Sequence, residues 1–146
     1  MIERILKTDK DITSFILRIV LAVVFFPHGA QKVLGWFGGH GFSGTLGLFT
    51  AQGTPTLFVL LLLAAEFLGP IGLALGLFTR IAAAGIAVAM TVALLVHIPH
   101  GFFINWAGNQ QGEGIEFHLL AIAISIVLLI KGSGWASVDG IIADEK

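Results

Sequence analysis

Polar residues of the kinds that bind protons and small ligands interrupt an otherwise apolar chain at a few places. His28 and Lys32 stand in the stretch Phe25-Phe26-Pro27-His28-Gly29-Ala30-Gln31-Lys32. Glu66 interrupts a long apolar run, His97 and His100 flank Pro99, and Glu116 and His118 open a further apolar run. Imidazole, ammonium and carboxylate groups can donate or accept hydrogen bonds and relay protons near neutral pH. Glu66 carries the sharpest demand, because a carboxylate in hydrocarbon is costly unless it is protonated or paired. It is therefore expected to face other helices, with Lys32 and His28 as its available partners. His28 and Lys32 are four residues apart and share a helical face. With Arg18 they fall within a wedge of about 80°. Pro27 removes a backbone hydrogen bond and is expected to kink its helix and open a cavity there. Gly29 is expected to admit a neighbouring helix. A purely structural tie between two helices and a functional site both remain open for this group.

Other polar residues read more plainly. Arg18 is near a helix end and is expected to snorkel to the headgroups. The two-residue gap between His97 and His100 is a weak metal signature, since Pro99 breaks the helix between them. Glu116 and His118 do not match the Glu-x-x-His spacing of di-iron bundles. No metal site is expected, so His97, His100, Glu116 and His118 stand as candidate ligand-binding residues with His28, Lys32 and Glu66. Gly72 and Gly76 form a small-x-x-x-small pair that reads as a helix-packing face. No phosphate loop, nucleophile motif or dinucleotide fingerprint is present.

These residues must be positioned by membrane helices. Of 146 residues, 56% are hydrophobic and 12% charged, and the mean hydropathy is +0.95. That inventory cannot cover a water-facing surface. The net charge of −1 offers no basic surface for nucleic acid, and the absence of cysteine excludes disulfides and thiolate metal sites. A spanning helix needs about 20 mostly apolar residues. Four candidates are 12–34, 57–78, 81–98 and 115–130, the last short, with a polar first turn at the interface. The apolar runs are continuous and too long for barrel strands. The first has no small-x-small cleavage site after it and reads as a retained helix rather than a signal peptide. A short interfacial helix is expected over 43–52, capped by Ser43, and the aromatics after Pro99 suit the headgroup belt. The expected fold is therefore an all-α integral membrane protein, one four-helix domain over residues 1–146.

Lysine and arginine placement sets the expected orientation. Arg4, Lys7, Lys10, Arg18, Arg80, Lys131 and Lys146 would lie on one side, and of the 8 basic residues only Lys32 on the other. The positive-inside rule puts both termini in the cytoplasm. Four of the histidines, both named glutamates and Lys32 then share the outer half of the membrane, with His40 in the loop beside them. The triplet Pro-His-Gly occurs at residues 27–29 and again at 99–101; three residues are too few to establish a duplication.

Taken in order, several segments resemble the DoxX/DoxD-like family of four-helix bacterial membrane proteins. They are Arg18 through Gly35 (RIVLAVVFFPHGAQKVLG), Glu66 through Arg80 (EFLGPIGLALGLFTR), the NW…GIEFHLL stretch at 105–120, and the tail GSGWASVDG at 132–140. Ser133 and Val138 replace a proline and a leucine usual in the family's tail. The resemblance implies a polar set of Arg18, Lys32, Glu66 and Arg80, with Glu116 and Asp139 less closely matched. It implies a bacterial inner-membrane, multi-pass protein associated with redox chemistry and with quinone as a possible cofactor. A partner redox enzyme and a homo-oligomer are possible partners besides the bilayer. The alternatives are a non-catalytic anchor for a partner enzyme, and a binder or transporter of a small molecule or lipid.

Overall fold

A computed structural model describes residues 5–144 and shows no strand among them. Helix α1 spans Ile12–Leu34, α2 Gly41–Ala51, α3 Thr56–Leu75, α4 Thr79–His97, α5 Glu116–Lys131 and α6 Val138–Asp144. Two 3-10 turns, Trp36–Gly38 and Ile98–His100, follow α1 and α4. Arg4 and Lys146, used above for orientation, lie outside the described residues.

The helix ends follow from local chemistry. Asp11 accepts hydrogen bonds from the Ser14 N–H (2.9 Å) and hydroxyl (2.8 Å), capping α1. At its other end Gly35 takes a left-handed φ of 73° and returns its N–H to the Ala30 carbonyl. Gly76, with φ 65°, ends α3 at Leu75, three residues before the run 57–78 expected from hydropathy. Phe78 is itself left-handed, φ 50°, so α4 starts at Thr79, two residues earlier than expected. Helix α2 also starts before its expected cap: Ser43 lies inside it, and His40 at the capping position makes no side-chain cap.

Three helical segments among the described residues are long and apolar enough to cross a membrane: Ile12–Leu34, Thr56–Leu75 and Thr79–His100. Helix α5 has 16 residues, about 24 Å of helix against a hydrocarbon core of about 30 Å. The packing is inside-out relative to a water-soluble domain. Leu61, Leu68, Val88, Val92, Leu95, Leu120 and Ile130 are exposed, while Leu21, Phe25, Leu73, Ile86 and Leu128 form the core. Helix α1 packs chiefly along α3 and α4 along α5, with α3 and α4 joining the two pairs. Close approach of α1 to α3 depends on Gly29, where a Cβ would overlap the backbone of Glu66 and Phe67. Gly72 lies against Ala82 of α4, but Gly76 does not continue that face. Gly76 lies against Ser137 and the Arg18 guanidinium, because the chain after α5 folds back beneath it.

Candidate functional site

The polar residues gather at the two ends of the bundle. At the end that carries α2, Lys32 Nζ is ion-paired to Glu66 Oε2. Glu66 is 4% exposed, whereas the Lys32 side chain retains 28% of its accessible surface. The carboxylate is thus enclosed and the lysine side chain part-exposed. The backbone contact at Gly29 sets the spacing that lets the lysine, three residues on, meet the glutamate. Buried Thr45 of α2 donates to the Lys32 carbonyl at 3.0 Å, tying the short helix over the pair. Nearby in sequence, Phe26 stacks on Phe67, with centroids 6.1 Å apart, and meets Trp36 edge-on.

His28 does not join this pair. It is exposed and lies against Phe25 and Phe117, with ring centroids at 6.4 and 6.5 Å. The reason is angular: Gly29 and Lys32 face α3, and one residue before Gly29 the helix points about 100° away, towards α5. The Pro27 expectation also changes. The helix runs unbroken through Pro27, which with Pro70, Ala22, Phe26 and Ala74 lines an apolar groove of about 440 Å³ between α1 and α3.

Three histidines collect between α4 and α5. The His97 ring is 4.8 Å from that of His118 and 5.8 Å from that of His100. Pro99 ends α4, but the 3-10 turn it enters brings His100 back beside His97. His118 is buried and its Nδ1 has no hydrogen-bond partner among the described residues. Glu116 accepts from the Ile104 N–H at 2.9 Å and so holds the connection ahead of α5. No group of three metal-ligating side chains with suitable geometry occurs among the described residues. The two Pro-His-Gly triplets occupy unlike places, one inside α1 and one in a terminal turn.

The opposite end is built on Arg18, which is 1% exposed and does not snorkel. Its Nε donates to the Ser133 carbonyl (2.9 Å), Nη1 to Leu73 (2.7 Å) and Ala74 (2.8 Å), and Nη2 to Trp135 (3.1 Å) and Ala136 (2.5 Å). All five guanidinium protons meet backbone carbonyls. Two of those carbonyls belong to the last turn of α3, where helix geometry leaves acceptors short of partners; the Leu73 carbonyl also accepts from the Gly76 N–H at 3.1 Å. Asp139 is equally buried and accepts from the N–H groups of Phe78 (2.7 Å) and Thr79 (3.0 Å), capping α4 from a distant part of the chain. Arg80 reaches the carbonyls of Leu129 and Lys7. Among the described residues none of these three is ion-paired; they organise backbone. Sequence reasoning missed Ser133 and Ser137, whose hydroxyls join at 2.8 Å beneath Arg18. Two small polar residues in a glycine-rich tail carry no signal of burial.

The fold and the two polar ends define an all-helical protein with apolar helices suited to a membrane and an enclosed ion pair between two of them. The chain belongs to the DoxX family, whose model matches residues 13–99. It is 27% identical over 129 residues to the Bacillus subtilis protein named "Putative oxidoreductase CatD", covering 88% of this chain and 86% of that one. It is also 33% identical over 132 residues to a Haemophilus influenzae protein titled "Uncharacterized protein", covering 84% and 85% of the two chains. No solved structure matches the chain.

Proposed function

We propose that this DoxX-family protein is a quinone-linked redox subunit of the bacterial inner membrane. In this reading α1, α3, α4 and α5 all cross the bilayer, both termini are cytoplasmic, and the Lys32–Glu66 pair lies in the outer half. Support for redox association comes from the family and from the name of the Bacillus relative. The observation that carries the site is the asymmetry of the pair: Glu66 is enclosed while the Lys32 side chain is part-exposed. A quinone carbonyl arriving from the membrane can accept a hydrogen bond from Lys32, whose orientation and charge Glu66 maintains. Phe26, Phe67 and Trp36, an aromatic cluster joining α1 and α3, would offer surface for the ring. The chain has no cysteine and no cofactor-binding motif, so electrons would pass to or from a partner redox enzyme.

Quinone content tests this reading. Protein purified with its native lipid should carry quinone, and Lys32→Met should lose it. Lys32→Met and Glu66→Leu should each destabilise the protein, by about 3–5 kcal/mol if the stranded charge stays buried. The double variant should regain much of that stability without regaining quinone. Absence of quinone from the wild-type preparation would sink the proposal. Cysteines introduced at Gly39 or Asn109 should label from outside the cell; labelling from the cytoplasm alone would reverse the orientation.

A further inference from the structure

Helix α2 is a poor helix former lying across strong ones. Its sequence, GFSGTLGLFTA, is half glycine, serine and threonine, residues that do not hold a short helix by themselves. His40 at the capping position supplies no side-chain cap. Packing on α1 and α3 must therefore hold α2, and Thr45 is its one buried residue. The Thr45 hydroxyl donates to the Lys32 carbonyl at 3.0 Å. That carbonyl belongs to the last turn of α1, where acceptors lack helical partners. Phe42 and Leu48, about 60° to either side of Thr45 around the helix, stay 44% and 46% exposed. The apolar edges of α2 are thus left to the surrounding lipid.

The two connections of α2 are jointed. Before it, Gly39 is fixed, since a Cβ there would overlap the Gln31 backbone. Gly41, with φ 66°, is the next joint, and a Cβ there would make only ordinary contacts with Gly35. After α2, Gly53 has φ 89° and open space where its Cβ would stand. Below α2 the seam between α1 and α3 is closed by the backbone contact at Gly29. The seam is rigid there, while the helix over it is pinned by one hydroxyl and hinged at both ends.

We propose that α2 is a hinged lid over the Lys32–Glu66 pair, with the Thr45 hydroxyl as its catch. Turning about Gly41 and Gly53 breaks the bond to the Lys32 carbonyl and leaves the helical bonds of α2 intact. The freed hydroxyl and carbonyl then meet water or headgroups, and Phe42 and Leu48 remain in lipid, so opening exposes little apolar surface. Loss of the catch alone shifts the closed-to-open ratio by about fivefold, the equilibrium equivalent of one ordinary hydrogen bond. The lid needs the ion pair but not quinone, so it stands or falls separately from quinone binding.

A water-soluble carbodiimide applied to the full-length protein in lipid nanodiscs tests the lid. The reagent activates a carboxylate it can reach, and a lysine paired to that carboxylate then closes an amide, the carbodiimide leaving as the urea. The rate at which Lys32 and Glu66 become joined, read by peptide mass spectrometry, therefore tracks the open fraction. Thr45→Val keeps the shape and removes the donor, so it should speed joining about fivefold. Thr45→Ser keeps a hydroxyl and should stay near the wild-type rate. Equal rates in Thr45→Val and wild type would overturn the proposal, as would the same acceleration in Thr45→Ser. If Thr45→Val does not fold, a distance measurement decides. The chain lacks cysteine, so Ser43→Cys on α2 and Thr91→Cys on α4, both exposed, can carry a pair of spin labels. Two distance populations between them support the lid, and a single narrow one refutes it.

Discussion

Arg18→Met should be among the most damaging single substitutions in this chain. Arginine spends all five donors on the carbonyls of Leu73, Ala74, Ser133, Trp135 and Ala136. Methionine keeps much of the stem volume and supplies no donor. The bonds to Leu73 and Ser133 are fully buried; the Leu73 carbonyl keeps the Gly76 N–H at 3.1 Å, so the Ser133 carbonyl is the buried acceptor left without a partner. A stranded buried acceptor costs about 1–3 kcal/mol. The other three are part-buried and can turn to water, so they add little. Against a typical stability of about 5–15 kcal/mol this loss is large. At about 2–4 °C per kcal/mol, thermal unfolding of the purified protein should fall by at least about 2 °C. Arg18→Lys retains the charge but offers three donors from a single point, so its Tm should lie between the two. The carbonyl account is refuted if Arg18→Met unfolds within about 1 °C of wild type, or if Arg18→Lys is no better than Arg18→Met.

Three further outcomes follow from the same geometry. Gly29→Ala should push α1 from α3 and cost about 1–3 kcal/mol, read as a lower Tm; an unchanged Tm would show that the two backbones do not approach as described. Asp139→Ala removes the cap on Phe78 and Thr79 and should cost about 0.5–2 kcal/mol by thermal unfolding, whereas an exposed substitution such as Gln111→Ala should cost almost nothing. At the start of α1, outside its apolar span, the Ser14 N–H hydrogen bond holds the Asp11 carboxyl below its ordinary value of 3.8. A lowered folded-state value means that the stabilisation is present above pH 3.8 and disappears as pH falls through the folded value. The Tm gap between wild type and Asp11→Ala should therefore narrow below about pH 3.8; a gap that widens on acidification would contradict the sign.

What could be read without coordinates was whatever hydrocarbon imposes on a linear chain. Long apolar runs marked the helical segments, since a helix in lipid must satisfy its backbone internally and show apolar side chains to its surroundings. Motif order along the chain pointed to the DoxX family, which the family match shows. The high cost of a lone carboxylate narrowed the partners of Glu66 to His28 and Lys32. Choosing between them required the backbone contact at Gly29, which fixes how α1 is rotated against α3. A side chain one residue from that contact points elsewhere, and His28 went to Phe117.

Arg18 shows the limit most clearly. Its nearness to a helix end favoured snorkelling, and no local pattern announces that the tail at 132–140 will fold back to present three carbonyls. Asp139, likewise, caps a helix that begins sixty residues earlier. Hydropathy, helix breaks and the expense of isolated charge are properties of a residue and its neighbours in sequence, and these the amino-acid sequence determined alone. Which acceptor satisfies a buried donor depends on groups distant in sequence that only packing brings within 3 Å or so, and that tertiary structure alone decided.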